Sequence, residues 1–222
     1  MTVKLVAETD IKNEVVTCSF LFFRGVPEQE LHFRAGDYYF PITFIKRSRS
    51  EEISLRRQDS FGLYREVLRP DHEESDYESL ATAKLPSHIH KVLFLVISPQ
   101  DGNKHYRFLV LDDSTEIFPG SAFLFVNLSG MRLRVDFGGE SPSIEVDEAL
   151  VLGSKVGEKG GFVPCTIYDE SGDKYYENRL YSQQTARKIV IIGAPKNEGG
   201  VPRIELVEQL LPQLLSAPAA QQ

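Results

Sequence analysis

The chain of 222 residues predicts an all-β fold. It is expected as two tandem, similar antiparallel β-sandwich halves, Ig-like or jelly-roll-like, with little helix. Three observations predict it. Apolar or alternating runs of strand length recur along the chain with turn residues between them. No stretch sustains a long helical period. Segments of the first half also reappear, in order, in the second.

The elements follow one by one. Thr2 to Ala7 reads as a short edge strand. Val15 to Arg24 is apolar nearly throughout, as a strand covered on both faces is, and Gly25-Val26-Pro27 turns the chain. Glu30 to Arg34 alternates, with Leu31 and Phe33 on one face and Glu30, His32 and Arg34 on the other. Gly36-Asp37 turns into Tyr39 to Ile45, where Pro41 marks an edge because proline cannot donate to a central ladder. Phe61 to Leu68 alternates again and puts Phe61, Leu63, Arg65 and Val67 on one face. Arg69 to Glu74 is a polar turn, and Tyr77 to Leu85 a strand ended by Pro86-Ser87. Lys91 to Ser98 gives the strongest buried-strand signal, followed by a turn over residues 99–102. His105 to Leu111 completes the first half.

In the second half, Ala122 to Leu128 and Met131 to Phe137 flank the turn Asn127 to Gly130. Ser143 to Leu152 holds one or two short strands. Gly153 to Gly161 reads as a mobile hairpin loop. Phe162 to Tyr168, Lys174 to Tyr181, Lys188 to Ile192 and Val201 to Val207 are the remaining strands, with Asp169 to Asp173 a hairpin turn. Glu205 to Leu215 has an alternative reading as a short amphipathic helix.

The repeat aligns Ser19–Phe23 with Ala122–Val126, Leu31–Gly36 with Leu133–Gly138, and Leu63-Tyr64 with Ile167-Tyr168. It also aligns Lys91-Val92-Leu93 with Lys188-Ile189-Val190, Pro99 with Pro195 and Arg107 with Arg203. The expected boundaries are 1–112 for the first sandwich, 113–210 for the second, and 211–222 for a disordered tail.

Composition bounds the function. The net charge of −7 disfavours a general binder of nucleic acid or anionic membrane, since neither polyanion would attract the whole molecule. No apolar run reaches the roughly 18 residues of a membrane span, so no transmembrane segment is expected. The first residues lack the basic-then-apolar order of a signal peptide. Two cysteines, Cys18 and Cys165, make no disulfide framework. One bridge remains open, but their apolar surroundings favour two buried free thiols.

Few residues offer chemistry. His88 and His90 would share a face if they lay on a strand, and His105 or His72 could add a third imidazole for a metal. The adjoining Pro86-Ser87 favours solvated loop histidines instead, so no metal site is assigned. Asp112 to Glu116 offers oxygens to calcium but lacks the spacing of a helix-loop-helix calcium loop. The glycine-rich stretch 153–161 lacks the Gly-Lys-Ser/Thr ending of a phosphate loop, and no Gly-x-Ser-x-Gly elbow is present. No catalytic residue and no cofactor are assigned. Lys46, Arg47, Arg49, Arg56 and Arg57 form a basic run that could meet an acidic partner. Its interleaved serines and glutamates favour a solvated loop or an edge strand. Tyr38 and Tyr175, with Tyr39 and Tyr176, could stack on a ligand such as a sugar, although the chain has no tryptophan. Asn127-Leu128-Ser129 fits the glycosylation triplet.

The stretch YRFLVLDDSTEIFPGSAFLFVNLSG, with its amphipathic strand and Gly-Gly turn, resembles a group of uncharacterised bacterial proteins. These are the predicted secreted or envelope β-sandwich proteins of Verrucomicrobia-like and planctomycete-like genomes. HFRAGDYYFPITFIKRSRSEEISL and KVLFLVIS are similar to the same pattern, which covers most of residues 30 to 195. The resemblance implies a β-sandwich in a secreted or envelope setting if a leader is missing from this chain. Without a leader the chain would be cytoplasmic. It brings no catalytic residues with it.

Two readings of function follow. One is a non-enzymatic β-sandwich module for protein interaction or an envelope or scaffold role. The other is a ligand-binding protein or enzyme with a site in a cleft between the two halves, near residues 46–57 and 153–161. Oligomeric state is not legible.

Overall fold

The computed structural model describes residues 15–24, 26–58, 60–68, 76–99, 105–197, 200 and 202–211. The strand read at Thr2 to Ala7, the turn at Arg69 to Glu74 with His72, and residues 212–222 of the expected tail lie outside them. The described residues are all-β, without helix. Among the described residues, no helix is long and apolar enough to cross a membrane.

The first half contains β1 (Val15–Phe23), β2 (Leu31–Ala35), β3 (Tyr38–Ile42), β4 (Ile53–Arg56), β5 (Ser60–Val67), β6 (Asp76–Lys84), β7 (Lys91–Ile97) and β8 (Arg107–Asp112). The second contains β9 (Ala122–Leu128), β10 (Leu133–Phe137), β11 (Ser143–Ile144), β12 (Ala149–Gly153), β13 (Gly161–Tyr168), β14 (Lys174–Ser182), β15 (Ala186–Gly193) and β16 (Arg203–Leu210). The chain divides into two compact units, Met1–Ser114 and Thr115–Gln222. Asp113 and Ser114 therefore close the first half. Leu211 donates its backbone N–H to the Thr185 carbonyl at 2.8 Å, which ties that residue of the expected tail to the second sandwich.

Each half is a pair of four-stranded sheets with one shared topology. The first has orders β4-β1-β7-β8 and β3-β2-β5-β6, and the second has β12-β9-β15-β16 and β11-β10-β13-β14. All named pairings are antiparallel except β1 with β7 and β9 with β15. The antiparallel sandwich read from the sequence thus carries one parallel pair in each half. Those central strands are buried on both faces: Phe20 and Phe94 face one way, and Leu21 and Leu95 the other. Double-sided burial is why the sequence shows unbroken apolar runs there instead of alternation.

Phe20, Phe33, Phe61 and Phe94 fill the first core, with the Phe20 and Phe33 ring centroids 5.2 Å apart and those of Phe33 and Phe61 5.3 Å apart. Phe123, Phe125 and Phe137 do the same in the second, at 4.7 Å between Phe123 and Phe137. Edge-on and offset rings at these spacings gain electrostatic attraction beyond the apolar area they bury.

Strand registers test the repeat residue by residue. Phe33 pairs with Leu63 and Val135 pairs with Ile167, so both of those segment alignments hold together. The following hairpins slip at the same step, between Leu63 and Tyr64 and between Ile167 and Tyr168. Gly36 and Gly138 both take φ of 63°, a left-handed turn that glycine reaches without a Cβ clash. Ile97 pairs with Arg107 and Gly193 with Arg203, so the alignment of Arg107 with Arg203 also holds. That register places Val92, not Lys91, at the position of Lys188. The alignment of Lys91-Val92-Leu93 with Lys188-Ile189-Val190 is one residue out, which would turn every side chain to the opposite face. Phe23 pairs with Ile97 and Leu128 with Gly193, so Phe20 corresponds to Phe125. The alignment of Phe20 with Phe123 is two residues out, a slip that keeps the faces and so leaves the apolar pattern intact.

Three other segments bear on the sequence reading. Residues 53–56 form edge strand β4, with Ile53 and Leu55 turned to the core, which is one of the two readings given to the basic run. Residues 154–160 connect β12 and β13, which lie in different sheets, so they are a crossover and not a hairpin loop. Arg203–Leu210 is a strand paired along its length with β15, in line with the strand read at Val201 to Val207. The alternative helix is not formed over Glu205 to Leu211, because alternation outweighs the short helical pattern once a free edge is present.

Cys18 and Cys165 are free, buried thiols, one in each half. Burial pushes both thiols up to about 12 from an ordinary 9.0, slightly offset at Cys18 by Arg57. The folded chain therefore holds these protons where the unfolded chain has begun to release them. Their stabilising share is complete below 9.0 and drains as pH rises towards 12. At pH 8 a disulfide-exchange thiol reagent is expected to modify both only after denaturant is added. Rapid labelling of the folded chain would contradict this burial.

Candidate functional site

The basic run is split by the fold. The Arg49 side chain is largely covered: its Nη2 donates to the Ser19 hydroxyl at 2.6 Å and to the Asp113 carboxylate at 2.5 Å. Arg57 is buried and donates to the backbone carbonyls of Pro86 (3.2 Å) and Ile89. These two guanidiniums bond within the first sandwich, which corrects the solvated-loop reading of the run at Arg49 and Arg57. Arg56 is exposed on β4. Lys46 and Arg47 are exposed in a turn closed by the Ser48 N–H on the Ile45 carbonyl at 3.1 Å. Arg47 sits at φ of 56°, a costly conformation for a side chain with a Cβ, and one enriched at functional loops.

His88 and His90 lie in the β6–β7 connection, not on a strand, and both are exposed, as is His105. The structure does not gather them with other metal-type ligands among the described residues. Asp112 caps its own turn by accepting the Ser114 N–H at 2.9 Å, and Asp113 is bonded to Arg49, so their oxygens serve the fold. Asp169 to Asp173 is a turn closed by Gly172 N–H to Asp169 carbonyl at 3.1 Å. Asn127 is fully buried, which removes the glycosylation triplet from solvent.

The tyrosines separate as well. The Tyr175 hydroxyl is buried without a hydrogen-bond partner, and burial raises its pKa. Tyr38 is 72% exposed, with its ring centroid 6.5 Å from that of Phe40, itself 43% exposed.

The surroundings of Tyr38 and Phe40 are unusual. On β3, Tyr38, Phe40 and Ile42 pair with Ala35, Phe33 and Leu31. Paired residues share a face, so all three belong to the row that should enter the core. Only Ile42 does. β3 is the edge of its sheet, so one side of its backbone is unpaired. Beside it lies a recess of about 300 Å3 lined by Pro41, Ile42, Ile45, Ser50, Glu51 and Ile53. Ile45, which lines it, is 57% exposed. The corresponding edge of the second half, β11, has only two residues. There Phe137 and Glu140 exchange both backbone hydrogen bonds at 2.9 Å and close the chain on itself.

No family model matches the chain, and no curated protein matches it. Its site therefore rests on its own geometry.

A second cluster lies on the outer face of the β3-β2-β5-β6 sheet. Tyr39 and Tyr77 stack with centroids 3.8 Å apart and planes 3° apart, and Tyr64 meets Tyr39 edge-on at 5.0 Å. Gly62 admits the Tyr64 ring, which would lie 2.4 Å from a Cβ at that position. Tyr77 also meets His32 edge-on at 5.2 Å. This cover leaves His32 only 5% exposed although it points away from the core. Glu30 and Glu66, both exposed, lie beside it. Alternation placed Glu30 and His32 on the polar face in sequence. Nothing local revealed that Glu66 comes to the same spot, because that depends on how β2 and β5 pair.

Proposed function

We propose that the chain is a non-catalytic β-sandwich binding module, and that its first half takes an extended segment of a protein partner along the β3 edge. The uncovered core-side row of Tyr38 and Phe40 carries this reading. An added strand would satisfy the open backbone edge, and its alternate side chains would cover those rings and enter the recess at Ile45. Aromatic side chains bring much contact area at low entropic cost, which suits them to anchoring. Pro41 removes one donor from the edge and so limits unspecific strand pairing. The two-residue edge of the second half offers no such row.

A displayed library of short peptides, selected on the full chain and counter-selected on Phe40→Glu, tests this. Enriched peptides are expected to alternate apolar and polar residues and to lose at least about tenfold in affinity on Phe40→Glu or Ile45→Glu. Both positions are exposed, so unfolding free energy should stay within about 0.5 kcal/mol of the parent. Peptides that bind parent and variants equally, or a selection that enriches none, would overturn the reading.

A further inference from the structure

Glu30, His32 and Glu66 are the grouping of three ligand-type side chains found among the described residues. One donor atom of each lies within 4.8 Å of the other two. Strand pairing produces it. Leu31 pairs with Arg65 and His32 with Tyr64, so extending the register by one residue sets Glu30 opposite Glu66. Two carboxylates facing each other across a ladder repel. Neither forms an ion pair among the described residues, and the neighbouring Arg65 guanidinium turns instead to Glu78. His32 adds a second unmet demand: its Nδ1 is buried and has no hydrogen-bond partner. A buried polar nitrogen left unpaired is costly.

The second half shows how the same place can be neutralised. The matched registers put Arg132, Arg134 and Glu170 at the positions of Glu30, His32 and Glu66. There Glu170 accepts the Arg132 backbone N–H at 2.9 Å, the Arg132 side chain pairs with Glu145 at 3.0 Å, and the Arg134 guanidinium lies 4.2 Å over the Tyr168 ring. One half supplies protein cations at this spot. The other supplies two carboxylates and an imidazole.

We infer that Glu30, His32 and Glu66 form a binding site for a divalent transition-metal ion of the zinc kind. One imidazole nitrogen and two carboxylate oxygens suit that ion better than calcium or magnesium, which prefer oxygen alone. Two glutamates balance its charge. Three protein ligands leave a coordination position open to water. A strand pair under an aromatic cover provides a stiff base for the imidazole.

Zinc chloride titrated into the purified full chain by calorimetry is expected to fill one such site. Glu30→Gln and Glu66→Gln should each weaken it by at least about tenfold, while Glu170→Gln and the exposed pair His88→Ala/His90→Ala leave it unchanged. Melting curves give an independent sign. In chelator, Glu66→Gln should melt at or above the parent, because one of two facing carboxylates is gone. In excess zinc it should melt below the parent, because only the parent gains the bound ion. Absence of zinc binding, binding in Glu30→Gln and Glu66→Gln as tight as in the parent, or binding lost with His88 and His90 would each overturn the assignment.

Discussion

Asp113→Ala is expected to lower the stability of the first half by about 3–5 kcal/mol, because it leaves a buried guanidinium without its counter-charge. Asp113 is 1% exposed and accepts from Arg49 at 2.5 Å, while the Arg49 side chain is 7% exposed. The pair does topological work. Arg49 lies on the segment between β3 and β4, and Asp113 directly follows β8, at the opposite edge of the same sheet. Arg49 also reaches Ser19 on β1, and the Asp113 N–H bonds to the Lys91 carbonyl at 2.9 Å. Loss of one partner therefore loosens both edges. Removing both charges together, as Arg49→Met with Asp113→Leu, should recover much of the loss, since the desolvation cost disappears with the attraction. Cys18, buried on β1, provides the readout. At pH 8 its labelling in Asp113→Ala should rise by at least about a hundredfold, each 1.4 kcal/mol being tenfold. An unchanged rate would show that the pair is dispensable.

The second large effect is expected in the other half. Asn127 sits at the end of β9, fully buried, and its amide nitrogen donates to the carbonyls of Met131 (2.8 Å), Ile144 (3.0 Å) and Glu145 (3.1 Å). Its Oδ1 accepts from the Ser129 N–H at 3.0 Å and from the Ser129 hydroxyl at 2.7 Å. One side chain thus fastens the β9–β10 turn to the short edge strand β11. Asn127→Asp keeps the shape and the acceptor but removes the donor, and it turns a second oxygen towards three carbonyls. A loss of about 3 kcal/mol or more follows from the unsatisfied buried acceptors alone. Cys165 on β13 reports it by the same labelling experiment. Asn127→Asp with parental stability would mean that these carbonyls find other donors.

The matched registers also explain why the two halves need different fastenings. Phe22 stands in the first half where Asn127 stands in the second, and its ring packs on Phe44 at 5.1 Å and Tyr106 at 6.2 Å. The same strand end is secured by aromatic packing in one case and by a buried amide in the other.

Strands were legible in the sequence wherever burial differs between faces or covers both. Phe20 to Phe23 and Ile189 to Ile192 announce double-sided burial, and Leu133, Val135 and Phe137 announce a one-sided face. β4 was legible only as one of two readings, because Ile53 and Leu55 are flanked by charges that dominate local composition. The repeat was legible in kind but slipped in register at β1 and β7. Runs such as Phe20–Phe23 are apolar at every position and give no phase to align on. Arg49 and Arg57 looked solvated because their partners, Asp113, Pro86 and Ile89, are distant in sequence. Glu66 joined Glu30 and His32 for the same reason: strand pairing, not spacing, brings them together. The exposure of Tyr38 and Phe40 was invisible because alternation says which face a residue takes, not whether anything covers that face.

Cross-strand nuclear Overhauser contacts on the full chain test the shared topology and its registers most directly. His32 should contact Tyr64 and Arg134 should contact Tyr168 across the antiparallel ladders. Phe20 should contact Phe94 and Phe125 should contact Val190 across the parallel ones. Observation of all four pairs would establish the same register in both halves and place Glu30 opposite Glu66. A shift of one residue in the pairing of β2 with β5 would send His32 into the core and dissolve the site.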